Sequence, residues 1–124
     1  MRRAIAPGIL LAGAAAIAAA PVAAGHVPTT VRKPQKKKVI VADDYYGPAK
    51  MTVNRGSTVT WVWPYDNSNT HDVKTAKRPK GAKFFHSQPA ASGFRFTRKL
   101  TVPGTYRIVC TLHVTMKMTI TVRK

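Results

Sequence analysis

Acidic residues are scarce in this chain of 124 residues, and glutamate is absent. Against 21 lysines and arginines stand only four acids, which gives a formal net charge of +17. Such a charge attracts acidic partners, anionic surfaces and polyanions. The sequence shows neither a carboxylate pair suited to general acid–base catalysis nor a Ser/His/Asp set, so an independent enzyme is not expected. The acids are Asp43, Asp44, Asp66 and Asp72.

Cysteine is equally scarce. Cys110 is the only one, which excludes an internal disulfide. In an exported protein a lone thiol pairs with another molecule, remains buried or binds a metal. Because His113, Met116 and Met118 follow Cys110 closely in the chain, metal binding is the interpretation that we favour.

The chain also lacks a long uninterrupted apolar run. The alanine-rich stretch Ile9–Ala20 is broken by Gly13 and is short for a membrane span of about 20 residues. Arg2 and Arg3 precede it and small residues follow it, a pattern that predicts a secretory signal peptide over residues 1–25. A retained membrane anchor is the alternative. We therefore expect export to the periplasm or to the extracellular space, with association with the cell surface as a further option.

Residues 26–38 combine prolines with many basic residues and have almost no apolar content. This composition predicts a flexible basic linker. Such a linker can lie on an anionic membrane surface or cell-wall polymer, or it can be only a solvated tether. Cleavage after Gly25 would make His26 an N-terminal residue able to chelate copper, whereas cleavage after Ala24 would leave it in a tail as an ordinary histidine.

Residues 39–124 show the pattern of short β-strands separated by turns. Thr58–Trp63 has the clearest alternation of apolar and polar residues. By the same two-residue period Tyr106, Ile108 and Cys110 share one strand face, so we expect the thiol to point inward. No stretch has a convincing helical period. The pattern predicts an all-β domain, a sandwich of about seven to eight strands.

Cys110, His113 and Met116 form the motif C-x-x-H-x-x-M in a predicted turn between two strands. A thiolate, an imidazole and a thioether are a soft donor set, which favours copper over magnesium, calcium or manganese. One more imidazole would complete a site of two histidines, one cysteine and a weak axial methionine. His71 is the best candidate for it. Met118 offers a second thioether, so the axial position has two candidates.

These residues resemble those of the cupredoxins, the small blue copper proteins such as plastocyanin, amicyanin and pseudoazurin. The resemblance covers roughly residues 39–122 and includes Gly56–Trp61 and Pro103–Tyr106. It implies a Greek-key β-sandwich that binds one type 1 copper ion. The copper ligands that it implies are His71, Cys110, His113 and Met116.

The chain departs from the family pattern near the implied ligands. Family members with a short ligand loop have the axial methionine at the position of Met116, and members with a longer loop have it at the position of Met118. The residue pattern of the following strand favours Met116. Many members have asparagine where this chain has Asp72, which we expect to accept a hydrogen bond from the Thr111 hydroxyl and so orient the ligands. The usual proline after the second histidine is Val114 here.

The stretch Ala76–Ser92 is basic and contains aromatic residues, a combination that can indicate nucleic-acid binding. The predicted export and the lack of a nucleic-acid motif argue against that partner. His86 lies in this stretch, far in sequence from both ligand segments. We interpret it as a surface histidine.

The resemblance implies an exported, monomeric single-electron carrier that shuttles between redox protein partners. The positive charge predicts that these partners have acidic docking faces. The alternative is a copper-binding carrier or buffer that delivers metal rather than electrons, since a similar ligand set would serve both. An enzyme is not implied, because a saturated ligand set leaves no open position for a substrate.

Overall fold

A computed structural model describes Gly8, residues 13–16 and residues 31–124 of the chain. The chain divides into two compact units, Met1–Thr30 and Val31–Lys124. In the first unit the described residues are exposed and have no regular secondary structure. The rest of the predicted signal peptide and the start of the predicted linker, His26 included, lie outside the described residues. Over the described ranges, no helix has the length and apolar character needed to span a bilayer.

The second unit is all-β, as the sequence predicts, with eight strands in two four-stranded sheets. The strands are β1 (Lys36–Ala42), β2 (Tyr45–Gly47), β3 (Lys50–Asn54), β4 (Ser57–Val62), β5 (Lys74–Lys77), β6 (Arg95–Leu100), β7 (Gly104–Cys110) and β8 (His113–Arg123).

The first sheet has the strand order β2-β1-β4-β6 and the second the order β3-β8-β7-β5. β1 runs parallel to β4 and β3 runs parallel to β8, while the remaining pairs are antiparallel. Consecutive strands repeatedly change sheets, as between β2 and β3 or between β6 and β7. This connectivity agrees with the predicted Greek-key sandwich.

The core lies between the two sheets and follows the two-residue period of the strands. Along β4, Val59 and Trp61 are fully buried, and Trp63 just beyond the strand is 1% exposed. Trp61 packs against Phe96 with ring centroids 5.9 Å apart. The second sheet contributes alternating buried residues of β7 and β8, namely Tyr106, Ile108, Cys110, Met116, Met118, Ile120 and Val122.

β1 begins at Lys36, inside the segment 26–38 that the sequence analysis assigns to a linker. The backbone of Lys36–Lys38 pairs in parallel with Thr58–Thr60. One residue earlier, the Gln35 N–H donates to the Ser57 hydroxyl at 2.8 Å. The three lysine side chains remain exposed. Main-chain hydrogen bonds hold this part of the strand, so its side chains need not alternate between apolar and polar. An apolar pattern in the sequence therefore does not mark these residues as a strand.

The buried Ser57 hydroxyl provides a test of this attachment. Ser57 is fully buried, so Ser57→Ala leaves the Gln35 N–H without its acceptor. We expect the free energy of unfolding to fall by about 1–3 kcal/mol in urea titrations. The control Thr60→Ala removes a hydroxyl from the exposed 3.0 Å contact with Thr97 and should cost about 0.5 kcal/mol. Equal losses of unfolding free energy for the two variants would show that the bond from the Gln35 N–H to Ser57 does not stabilise the start of β1.

Candidate metal centre

Two of the predicted ligands lie on either side of the tight turn between β7 and β8. Cys110 ends β7, His113 begins β8, and the two residues are partners in the strand register. Cys110 is 4% exposed, since it continues the inward-facing series of Tyr106 and Ile108. The prediction that the thiol points inward is therefore confirmed.

His71 comes from the long connection between β4 and β5. Its backbone pairs with Ala90 through two N–H···O bonds of 2.9 Å, and its carbonyl accepts the Trp63 indole N–H at 3.2 Å. The side chain is fully buried. These bonds fix the backbone of a loop residue at the end of the sandwich, and burial restricts the imidazole that it carries.

The side chains of His71, Cys110 and His113 converge there. Their donor atoms all lie within 4.8 Å of one another. The two Nδ1 atoms of His71 and His113 are 3.2 Å apart, and Cys110 Sγ is 3.6 Å from His113 Nδ1. Nitrogen and sulfur ligands at about 2.0–2.3 Å from one tetrahedral ion are separated by about 3.3–3.6 Å. The separations of His113 Nδ1 from the other two donor atoms thus fit ligands of a single metal ion.

The chemistry of the donors also fits a metal ion. His71 Nε2 lies 2.9 Å from Asp43 Oδ1, and a neutral imidazole that donates from Nε2 presents a lone pair at Nδ1. Hydrogen bonds from the Ser68 N–H, from His71 and from the Asn69 N–H lower the pKa of Asp43 to about 2, so the acceptor is a carboxylate. A lone pair, a second imidazole and a thiol facing one point form a soft set that suits copper.

Both candidate axial methionines are buried on the inward face of β8. Met118 is opposite Ile108 in the strand register, and its sulfur accepts the Trp61 indole N–H at 3.4 Å. Met116 lies two residues nearer to the turn that carries His113. Met118 therefore has a structural contact deeper in the core, and Met116 is the methionine nearer along the strand to the three donors.

Asp72 connects the two ligand segments, as the sequence analysis expects. The Thr111 hydroxyl donates to Asp72 Oδ2, and the Thr111 N–H donates to Asp72 Oδ1 at 2.7 Å. Burial opposes ionisation of this carboxyl, which is 1% exposed, but hydrogen bonds from His86 and Thr111 outweigh burial and hold its pKa below the ordinary value. The residue after His71 is thereby bonded to the residue after Cys110.

The structure assigns contacts at the site to three residues that the sequence analysis does not place there. His86 is half-exposed, as expected for a surface histidine, but its Nε2 lies 2.8 Å from Asp72 Oδ2. Asp43 contacts His71, and Asp44 Oδ1 lies 3.2 Å from His113 Nε2. These partners are distant in sequence from the ligand motif, and a single sequence carries no signal that pairs them with it.

The sequence model of the copper-binding proteins of the plastocyanin/azurin family matches residues 35–123. The chain belongs to this family. Its metal is accordingly copper, and the grouped side chains of His71, Cys110 and His113 are a suitable place for it. Among curated protein sequences there is no significant match.

Solved structures agree with the fold of this cupredoxin. A pseudoazurin from Sinorhizobium is 24% identical, with a TM-score of 0.61 and coverage of 73% of this chain and 75% of that one. A purple cupredoxin from Nitrosopumilus maritimus is 24% identical, with a TM-score of 0.57 and coverage of 70% and 99%. A copper-containing nitrite reductase from Thermus scotoductus is 24% identical, with a TM-score of 0.62, over 75% of this chain but 23% of the reductase.

The bond between the two ligand segments can be tested without metal. Thr111→Val removes the hydroxyl that donates to the Asp72 carboxylate while keeping the shape of the side chain. We expect the metal-free protein to lose about 1.5–3 kcal/mol of stability, measured by chemical denaturation. The exposed Thr115 on β8 supplies the matched control, because Thr115→Val should change stability by about 0.5 kcal/mol or less. If Thr111→Val lowers the stability by no more than this control, the hydrogen bond between Thr111 and Asp72 does not stabilise the fold.

Proposed function

We propose that this cupredoxin is an exported single-electron carrier whose type 1 copper ion is held by His71, Cys110, His113 and Met116. The observation that carries the proposal is the convergence of two imidazoles and one thiol within 4.8 Å at one end of the sandwich. When bound, copper supplies a one-electron couple between Cu(I) and Cu(II).

The contribution of the chain is to hold the donors in one arrangement through both oxidation states. Cys110 and His113 are held by the pairing of β7 with β8, and His71 is held by its backbone bonds to Ala90. Asp72 then ties the His71 segment to Thr111. Since each donor is attached to the sandwich, little reorganisation accompanies the transfer of an electron. A complete ligand set also leaves no position for a substrate, which supports a carrier rather than an enzyme.

The exposed edge of the centre supports a route for the electron. The His113 side chain is 27% exposed, whereas His71 is fully buried. On either side of His113, Leu112 is 52% exposed and Val114 is 88% exposed. We propose that a redox partner contacts this apolar surface and exchanges the electron through the His113 ring.

The charge of the chain supports a choice of partner. A net charge of +17 steers the protein toward redox proteins with acidic docking faces, and the steering should weaken with salt as the screening length falls to about 8 Å. The same charge would favour association with an anionic membrane surface or cell-wall polymer. The proposed carrier acts as a monomer in the periplasm or outside the cell, and no nucleic acid is among its proposed partners.

Copper loading of the full chain tests the assignment of the ligands. We expect Cu(II) to produce the intense visible absorption of a copper–thiolate centre, which Cys110→Ser should abolish. Met116→Leu should shift that absorption and the reduction potential, whereas the matched Met118→Leu should leave both nearly unchanged because the Met118 sulfur contacts Trp61. The opposite pattern would make Met118 the axial ligand.

The same protein separates electron transfer from copper delivery. Slow loss of copper to a chelator together with a reversible redox couple would support the carrier of electrons. Rapid loss would favour the alternative of a copper carrier or buffer. Absence of the visible absorption from the copper-loaded oxidised wild type would overturn the type 1 centre.

Electron self-exchange between oxidised and reduced protein tests the route through His113 without a known partner. Val114 and Val31 are similarly exposed, at 88% and 84%. Val31 lies before the start of β1, whereas the turn that faces the metal centre follows the end of β1, so Val31 serves as the control. Val114→Asp should slow self-exchange, measured by NMR line broadening, by about tenfold because a charge must be desolvated at the contact. Val31→Asp makes the same change in charge and should have little effect. Equal rates in the two variants would refute the route.

A further inference from the structure

The turn between β1 and β2 faces the metal centre with two consecutive acids, Asp43 and Asp44. Each carboxylate lies beside the Nε2 atom of a different imidazole, with hydrogen-bond geometry for Asp43 and at ion-pair distance for Asp44. Asp43 Oδ1 lies 2.9 Å from His71 Nε2, and Asp44 Oδ1 lies 3.2 Å from His113 Nε2. One turn of the first sheet therefore contacts both histidines.

We propose that Asp43 and Asp44 are positioning residues that keep the proton of each imidazole on Nε2 and so keep both Nδ1 atoms free for copper. The inference rests on the proposed function, because it concerns the same centre. It adds a role for two residues that bind no metal themselves.

The need for such control follows from the contact between the two histidines. Their Nδ1 atoms are 3.2 Å apart, which is hydrogen-bond distance. If the His113 proton lay on Nδ1, it would be donated to the Nδ1 lone pair of His71, and both donor atoms would be consumed. A carboxylate beside His113 Nε2 disfavours that tautomer, because it would face a nitrogen lone pair. Asp44 therefore favours the tautomer in which the pocket presents two free nitrogen donors.

Asp43 performs the same task for the buried histidine and also fixes its loop. Its two carboxylate oxygens accept the N–H groups of Ser68 and Asn69 at 2.8 and 3.0 Å. Those residues immediately precede the His71 segment. Substitution of Asp43 would thus disturb the fold of the loop together with the imidazole, which makes it a poor probe of the tautomer alone.

Asp44 is the cleaner probe, because its contact with that loop is a single exposed bond of 3.2 Å from the Asn69 side-chain amide. Its side chain is 53% exposed, and its φ of 69° lies in the left-handed region. Glycine and asparagine both tolerate this conformation, so neither substitution strains the turn. Asp44→Gly removes the carboxylate, while Asp44→Asn removes the charge but keeps an oxygen acceptor. Asp66, an exposed acid on the connection that carries His71, supplies the matched control Asp66→Gly.

The first measurement uses metal-free full-length protein at about pH 8, where a free imidazole is neutral. Long-range ¹H–¹⁵N NMR spectra distinguish Nδ1–H from Nε2–H histidines. We expect Nε2–H for both histidines in the wild type and in Asp66→Gly. In Asp44→Gly we expect His113 to shift mainly to Nδ1–H, and in Asp44→Asn to shift less. An unchanged His113 tautomer in Asp44→Gly would overturn the proposal.

The second measurement uses the copper-loaded protein. A carboxylate on the outer face of a ligand favours Cu(II) over Cu(I), so its removal should raise the reduction potential. For Asp44→Gly we expect Cu(I) to gain about tenfold relative to Cu(II), which corresponds to about 59 mV, and for Asp66→Gly less than half of that. Equal shifts in both variants would reduce the role of Asp44 to general electrostatics. If the wild type itself forms no copper–thiolate centre, the proposed function fails. The tautomer measurement on metal-free protein then still decides the proposed role of Asp44.

Discussion

Two imidazole nitrogens and a sulfur are held together at the end of the sandwich. Strand pairing, backbone hydrogen bonds and a buried carboxylate around them fix their positions. At 3.2 Å, two Nδ1 lone pairs repel each other unless a cation or a proton lies between them. The thiol of Cys110 completes the group at 3.6 Å from His113. A pocket that keeps both Nδ1 atoms free for copper must oppose this repulsion, so the three donors require support from outside the ligand turn.

That support comes from both sheets. β7 and β8 position Cys110 and His113 through their pairing, and Asp72 joins Thr111 to the His71 segment. The carbonyl of Asp72 also accepts the hydroxyl of buried Tyr46 on β2, at 2.5 Å. A residue of the first sheet thereby restrains the bond between the loop that carries His71 and the turn between β7 and β8. The donors are restrained in three dimensions because their attachments lie on different elements.

Much of this arrangement could be predicted from the sequence, because the informative signals are local. The two-residue period identified the buried face that carries Cys110, and the motif around His113 identified the metal. The remaining contacts depend on which distant segments meet. His86 reaches Asp72 only because its segment bridges Lys74, and nothing near His86 in the chain indicates that. The early start of β1 was equally hidden, since exposed lysines can pair through their backbone without an apolar pattern.

Most of the few acids in this chain lie at the metal centre. Of the four acids in a chain with a net charge of +17, Asp43 and Asp44 contact imidazoles of the centre and Asp72 binds the residue that follows Cys110. A carboxylate acts strongly on groups in contact with it, whereas beyond about 8 Å its charge is largely screened at physiological salt. The acids can therefore stabilise the centre locally while the basic surface governs long-range attraction. In the proposed carrier, the control of the metal site and the recruitment of partners rest on different residues, so a substitution in one set need not alter the other.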